Sequence, residues 1–228
     1  MSVVLGETTL QALLLVLEGI GVVAFALSGA LAAVRKRVDV VGVMIIAFLT
    51  AMGGGTLRDV LLDRRPFFWV AQEFWIWVVI AVGLAAALIL RARHFEPTHR
   101  AIQWPDAMGL GLFAASGTQI ALELGHTPLI AALMGVVTSA TGGLLRDVLL
   151  AEVPWVIASY QLYALLAFAG GWLVWGLGAL GTSSIVAVTV GALAITGARI
   201  LAIAVNLQLP NWRRNDHTGP ITLLESTT

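Results

Sequence analysis

The sequence contains no cysteine and only one lysine among 228 residues. Without thiols, a disulfide framework and thiolate metal sites are excluded. Charged residues make up 11% of the chain, whereas a soluble domain carries about 25%. The formal net charge is zero, and no basic run follows the pattern that binds a phosphate backbone, so no nucleic-acid partner is expected.

Hydrophobic residues are abundant instead, at 59% of the chain, with a mean hydropathy of +0.92. A transmembrane helix needs about 20 mostly apolar residues. Seven stretches meet this condition, and we expect an all-α membrane protein with seven spans: Leu10–Val34, Val40–Leu62, Phe68–Leu90, Asp106–Leu124, Thr127–Leu150, Trp155–Leu177 and Ser183–Leu207.

The basic residues between the spans indicate the orientation, because cytoplasmic loops carry an excess of Lys and Arg. With the N-terminus outside, the outer side receives Arg58, Arg64 and Arg65. The inner side receives Arg35, Lys36, Arg37, Arg91, Arg93, Arg100, Arg146, Arg213 and Arg214. The N-terminus is therefore predicted outside and the C-terminus in the cytoplasm.

An internal repeat is the strongest pattern in the chain. The segments FALSG at 25–29 and GGTLRDVL at 54–61 return as FAASG at 113–117 and GGLLRDVL at 142–149, always 88 residues later. Such matches on one register indicate duplication. We divide the single membrane domain into repeat 1 (10–97, spans one to three), repeat 2 (98–182, spans four to six), span seven (183–207) and a polar tail (208–228). Because each repeat has three spans, the second is predicted to be inverted, and such repeats often enclose a permeation path.

Glycines cluster in spans two and five, at Gly53 to Gly55 and at Gly142–Gly143. Glycine costs about 1 kcal/mol relative to alanine inside a helix, so these clusters predict a kink or an unwound segment. The released carbonyls would need a partner, which nearby hydroxyls can provide (Thr50, Thr56, Thr138, Ser139 and Thr141). Close helix packing is the alternative.

An Arg–Asp pair follows each glycine cluster. We expect Glu18 to contact Arg58 and Asp106 to contact Arg146 across neighbouring helices. Adjacent helical residues do not face each other, so Asp59 and Asp147 are predicted to remain available and to give each pore mouth a negative potential. These six residues form the predicted charged vestibule.

The remaining polar residues at membrane depth complete the candidate site. Ser28 and Ser116 are candidate pore liners, although each hydroxyl can also bond to its own helix. Arg199 in span seven has no repeat mate, and a carboxylate partner or snorkelling would explain it. The predicted pore-lining or gating set is Ser28, Thr50, Gly53, Gly54, Gly55, Ser116, Thr138, Ser139, Gly142 and Gly143.

The doubled motif resembles the prokaryotic trimeric intracellular cation (TRIC) channels. The acidic residue, the FA-x-SG segment and the GG-x-LRDVL segment before a proline all occur twice, and the resemblance covers roughly residues 10–207. It implies a homotrimer with one potassium-permeable pore per protomer, lined by spans one, two, four and five and gated at the glycine kinks of spans two and five. It also implies the plasma (inner) membrane of a prokaryote. Animal members use membrane-embedded lysines in voltage sensing, whereas the single lysine here, Lys36, lies in a loop.

Two other function classes remain open from the sequence. A secondary transporter of a small solute such as an amino acid also fits inverted repeats with broken helices, and a structural or assembly protein fits the composition. An enzyme is not expected, because no metalloprotease or nucleophile-elbow motif lies at membrane depth. No cofactor and no structural metal site are predicted, since the four histidines form no ligand pair at helical spacing.

Overall fold

The computed structural model describes residues 2–92, 97–158 and 162–207, without the side chains of residues 2–7, 91–92 and 158. These residues form helices and no strand. The helices are α1 (Ser2–Arg35), α2 (Val40–Leu61), α3 (Phe68–Ala71), α4 (Phe74–Ala92), α5 (His99–Glu123), α6 (Pro128–Leu149), α7 (Trp155–Ala158), α8 (Tyr163–Ala179) and α9 (Ser184–Ala204). The predicted tail at 208–228 lies outside the described residues.

Local sequence signals explain where several helices begin. The Asp39 carboxylate accepts a hydrogen bond from the Gly42 N–H at 2.7 Å and caps α2. The Thr98 hydroxyl caps α5 in the same way, and Pro128 opens α6, at a position where its missing N–H has no helical partner to lose. Capping side chains satisfy the N–H groups that the first helical turn leaves unpaired.

Four helices form the centre of the molecule. Helix α1 packs against α2 and α5, and α6 packs against the same two helices. The pair α1 and α2 carries α4 on its outer side, and the pair α5 and α6 carries α8 in the corresponding place. Helix α9 lies against α5 and α8. Corresponding helices of the two predicted repeats therefore have corresponding neighbours.

The two halves meet through residues that are 88 positions apart. The rings of Phe25 and Phe113 stack at the contact, with centroids 5.4 Å apart and planes 11° apart. Gly21 faces the Phe113 ring, and Gly109 faces the Phe25 ring. Because each phenylalanine packs on the glycine of the other half, the contact is reciprocal, as a two-fold relation requires.

Among the described residues, four helices are long and apolar enough to cross a membrane: Thr8–Arg35, Val40–Leu61, Pro128–Leu149 and Ser184–Ala204. Two shorter apolar helices span Phe74–Leu90 and Tyr163–Ala179. Large apolar side chains such as Val16, Trp77 and Leu193 are exposed on the outer faces. Water disfavours exposed apolar patches of this extent, and lipid provides the matching solvent.

The structure corrects the predicted limits of spans three and six. The stretch Phe68–Leu90 is not one helix, because α3 ends at Ala71 and α4 starts at Phe74. The polar residues Gln72 and Glu73 lie at this break. The stretch Trp155–Leu177 is likewise divided between α7 and α8. Span four starts earlier than predicted, since α5 begins at His99 and continues through Pro105.

Two buried arginine clusters and the helix crossing between them

The first cluster surrounds Arg58 near the end of α2. The Arg58 Nη1 group donates to Glu18 of α1, and its Nε and Nη2 groups donate to Asp59 Oδ1 at 2.9 and 2.7 Å. The second oxygen of Asp59 accepts the backbone N–H of Phe68 at 2.9 Å. Arg64 Nη1 lies 3.5 Å from Asp59 Oδ1 and adds a second positive charge. The cluster therefore ties α1, α2 and the start of α3 together.

The second cluster surrounds Arg146 at the end of α6. Arg146 Nη1 donates to Asp106 Oδ1 and to Ser28 Oγ, both at 2.7 Å, and Nε donates to Asp147 Oδ1 at 2.8 Å. Asp147 Oδ2 accepts the backbone N–H of Trp155 at 2.9 Å, and the guanidinium lies 4.4 Å from the Trp155 ring centroid. This cluster repeats the first one on α5, α6 and α7, with Ser28 of α1 as an additional partner.

The predicted contacts of Glu18 with Arg58 and of Asp106 with Arg146 are thus confirmed. The expectation that Asp59 and Asp147 remain available was wrong. Each arginine folds back onto the aspartate that follows it, and both aspartates are almost completely buried. They are held by a guanidinium and a backbone N–H, since a buried carboxylate is costly without such partners.

The helix crossing of α2 and α6 lies between the clusters. A methyl group at Gly54 would overlap the Thr138 carbonyl, and one at Gly142 would overlap the Thr50 carbonyl. Beside them, Gly29 and Gly117 leave space for the Thr50 and Thr138 hydroxyls. These contacts are again related by 88 residues, so α2 and α6 meet through glycine and backbone oxygen on both sides.

The unwound segments expected at the glycine clusters are not found, because α2 and α6 are helical throughout. The hydroxyls that were expected to serve released carbonyls bond within unbroken helices, four residues back: Thr50 to Ile46, Thr56 to Met52, Thr138 to Met134, Ser139 to Gly135 and Thr141 to Val137. The other clustered glycines also face close neighbours, Gly53 at Leu145 and Gly55 at the Phe68 ring. Close packing therefore accounts for the glycines.

The two candidate pore-lining serines differ. The Ser28 hydroxyl is fully buried, donates to the Ile102 carbonyl at 3.1 Å and accepts from Arg146. The Ser116 hydroxyl reaches only the Phe113 carbonyl of its own helix, at 3.5 Å. Ser28 thus joins α1 to α5 and α6, which the repeat pattern alone does not predict.

Sequence reasoning assigned no role to Tyr163 and explained Arg199 by a carboxylate partner or by snorkelling. Arg199 of α9 is fully buried, and its guanidinium carbon lies 5.0 Å from the Tyr163 ring centroid. The Tyr163 hydroxyl and Asp106 Oδ1 lie 3.3 and 3.4 Å from the position that a Cβ at Gly143 would occupy. The absence of a side chain at Gly143 therefore leaves room for the Tyr163 hydroxyl beside Asp106, and the Tyr163 ring in turn contacts Arg199 of α9.

A cavity of about 600 Å³ lies beside the first cluster, between α1, α5 and the α2–α4 connection. Its polar lining comprises Thr8, Gln11, Glu18, Arg64, Gln72 and Glu123. Among the described residues, no three His, Asp or Glu side chains are grouped so that they can hold a metal ion.

Known protein families and relatives share the duplicated architecture of this chain. A family model described as "Glycine transporter" matches twice, at residues 15–91 and 103–179, the same 88-residue offset. A UPF0126 membrane protein of Vibrio cholerae is 37% identical over 207 residues, which cover 90% of this chain and 86% of that protein. The UPF0126 inner membrane protein YadS of Escherichia coli K12 is 36% identical over 159 residues, which cover 68% of this chain and 74% of that protein.

Solved structures give the same result. The TRIC trimeric intracellular cation channel orthologue from Rhodobacter sphaeroides superposes with a TM-score of 0.77 at 35% identity, covering 85% of this chain and 98% of that one. A prokaryotic TRIC channel in 0.5 M KCl superposes with a TM-score of 0.80 at 27% identity, covering 87% and 100%. The fold and the doubled cluster thus define an all-helical membrane protein with the architecture of a TRIC channel. The chain belongs to the prokaryotic TRIC family, and the "Glycine transporter" family model matches both of its halves.

Proposed function

We propose that the chain is a potassium-permeable cation channel whose path runs between the α1–α2 and α5–α6 helix pairs. The α2–α6 crossing carries this proposal: Gly54 and Gly142 lie against backbone carbonyls in the middle, and a buried arginine cluster flanks the crossing on each side. Polar groups at membrane depth are costly without a use. The similarity to TRIC cation channels at 35% identity supports the same function.

The chemistry of the interface favours cations. The carbonyl oxygens of Thr50 and Thr138 lie at the crossing in the middle of α2 and α6, and the hydroxyls of the same two residues lie beside Gly29 and Gly117. Rings of such oxygens replace the hydration shell of a permeating cation. Glu18 and Glu123 line the 600 Å³ cavity, which we assign as the vestibule. Asp59 and Asp147 contribute to the buried clusters and not to an exposed ring of charge.

The structure represents a closed state in this proposal. Because Gly54 and Gly142 touch the opposite helix, no ion passes at the crossing unless α2 and α6 separate. We therefore propose gating by separation of two continuous helices, with Gly53, Gly54 and Gly142 at the contact that breaks and reforms.

The proposed assembly is a homotrimer with one pore in each protomer. Seven spans, with α1 to α4 and α5 to α8 as inverted repeats and α9 as the last span, place the N-terminus outside and the C-terminus in the cytoplasm. The excess of Lys and Arg on one side supports this orientation. The proposed location is the inner membrane of a prokaryote, as in the name of the relative from Escherichia coli.

Reconstitution in planar bilayers under a potassium chloride gradient tests the proposal. We expect unitary current steps that reverse near the potassium equilibrium potential, and none with protein-free membranes. Reversal near the chloride potential would contradict cation selectivity. Saturable uptake of labelled glycine into proteoliposomes without unitary currents would overturn the channel in favour of the transporter. Cross-linking in mild detergent tests the trimer, and a monomer or dimer would contradict it.

A further inference from the structure

The loops after the two arginine clusters have the same backbone frame. The Arg64 N–H donates to the Asp59 carbonyl at 2.8 Å, and the Glu152 N–H donates to the Asp147 carbonyl at 2.8 Å. The preceding residue has a positive φ in both loops (Asp63 49°, Ala151 52°). Position 152 in the second half therefore corresponds to position 64 in the first, in structure as well as in the 88-residue register.

The charge at this position is reversed between the two halves. Arg64 lies 3.5 Å from Asp59 Oδ1 and gives the first cluster two guanidinium groups against two carboxylates. Glu152 instead binds Lys36 Nζ at 2.8 Å. The loop of the second half thus supplies no second positive charge to Asp106 and Asp147.

Arg199 of α9 is placed to supply that charge. It is fully buried on the Tyr163 ring, and the Tyr163 hydroxyl and Asp106 Oδ1 lie beside the same glycine, Gly143. With Arg199, the second cluster again has two guanidinium groups against two carboxylates. Burying an unbalanced carboxylate is costly, so a second arginine has a clear energetic role here.

We propose that Arg199 is a positioning residue that replaces the repeat-1 arginine Arg64. From its position on the Tyr163 ring it adds a second positive charge to the second cluster and holds α9 against α5 and α8. The same charge sets the electrostatic barrier to cations at the second-cluster end of the path. The last part of this inference rests on the proposed channel function.

A thermal-unfolding cycle in detergent tests the charge replacement without any current. We expect Arg199→Met to lower the melting temperature by roughly 5 °C or more, because removal of one partner leaves a buried charge uncompensated. Glu152→Arg should recover at least half of that loss, because the new guanidinium has the same backbone position as Arg64. Glu152→Gln is the matched control, since it removes the Lys36 contact without adding a positive charge, and it should recover nothing.

Arg199→Lys retains the charge and separates charge from shape, and it also serves if Arg199→Met fails to fold. We expect it to retain most of the wild-type melting temperature. A melting temperature of Arg199→Met equal to wild type, or equal recovery by Glu152→Gln and Glu152→Arg, would overturn the proposal.

Current–voltage curves test the electrostatic role, which a merely structural residue would not affect. With Arg199→Met, cation current that enters from the second-cluster end should rise relative to current from the other end, by about twofold or more in low salt. The asymmetry should shrink in high salt, since mobile ions screen fixed charge, and Glu152→Arg should reverse it. An unchanged asymmetry in a stable variant would reduce Arg199 to a packing residue. Absence of wild-type current would instead overturn the proposed function and leave the unfolding cycle to decide the charge replacement.

Discussion

Gly54 of α2 lies against the backbone carbonyl of Thr138 in α6, so closely that a methyl group on Gly54 would overlap the carbonyl oxygen. The same relation joins Gly142 to the carbonyl of Thr50. A backbone carbonyl inside a helix cannot rotate away as a side chain does. The two contacts therefore fix how closely α2 and α6 approach, and any larger residue forces the helices apart.

Gly54→Ala and Gly142→Ala are expected to raise the open probability of the reconstituted channel. The added methyl group pushes α2 and α6 apart and thus destabilises the closed contact. Single-channel recording measures the effect, and cross-linking should show an unchanged trimer.

Gly176→Ala in α8 is the matched control, because no neighbouring side chain or helix in the described part of the chain lies within 4 Å of a Cβ at that position. Its open probability should equal that of wild type. Equal open probabilities for Gly54→Ala and Gly176→Ala would remove the crossing from the gating mechanism.

Arg58→Gln and Arg146→Gln are expected to destabilise the protein by about 3–5 kcal/mol each, because each substitution leaves two buried carboxylates without their guanidinium. Lys36→Gln should cost about 1 kcal/mol or less, since the Lys36–Glu152 pair is partly exposed to solvent. Thermal unfolding in detergent compares the three variants. Similar losses at Lys36 and Arg146 would contradict the structural role of the clusters.

Ser28→Ala is expected to cost more stability than Ser116→Ala. The Ser28 hydroxyl accepts from Arg146 and donates to the Ile102 carbonyl, and the loss of a bond to a charged group costs about 1.5–3 kcal/mol. The Ser116 hydroxyl makes one long bond within its own helix, so its loss should cost under about 1 kcal/mol. Equal unfolding temperatures for the two variants would show that the asymmetry between the halves has no energetic effect.

Phe25→Leu and Phe113→Leu are expected to be coupled. The rings stack at 5.4 Å across the contact between the halves, and such pairs contribute about 0.5–1.5 kcal/mol beyond their buried area. A double-mutant cycle by thermal unfolding measures this coupling. Strict additivity would mean that the two rings contribute to stability independently of each other.

The 88-residue repeat predicted the pairing of the clusters correctly, because pairing follows from helix order and charge. Glu18 faces Arg58, and Asp106 faces Arg146, as the order of the helices requires. The fate of Asp59 was predicted wrongly. Its neighbour Arg58 has a side chain long enough to fold back onto it, and the N–H of Phe68 completes the site. The rule that adjacent helical residues face apart describes Cβ directions, not the reach of a guanidinium.

The glycine clusters also separate what the sequence predicts from what only the packing of helices decides. From sequence, a kink or an unwound segment at Gly54 and Gly142 was the expectation and close packing the alternative, because local propensity measures only the cost of glycine. The gain that offsets this cost comes from α6, which reaches Gly54 with its Thr138 carbonyl. A residue on another helix therefore decides between a kink and close packing, and the local sequence around the glycine does not identify that residue.

The sequence by itself determined the membrane class, the helical content and the duplication, since hydropathy and an 88-residue register are properties of the chain order alone. Tertiary structure decided which polar groups meet. Arg199 is the clearest case: it has no repeat mate, and its role emerges only where α9 packs against α5 and α8 and brings it onto Tyr163. Contacts between helices depend on packing geometry, which couples residues far apart in sequence, and that geometry determines where α9 packs.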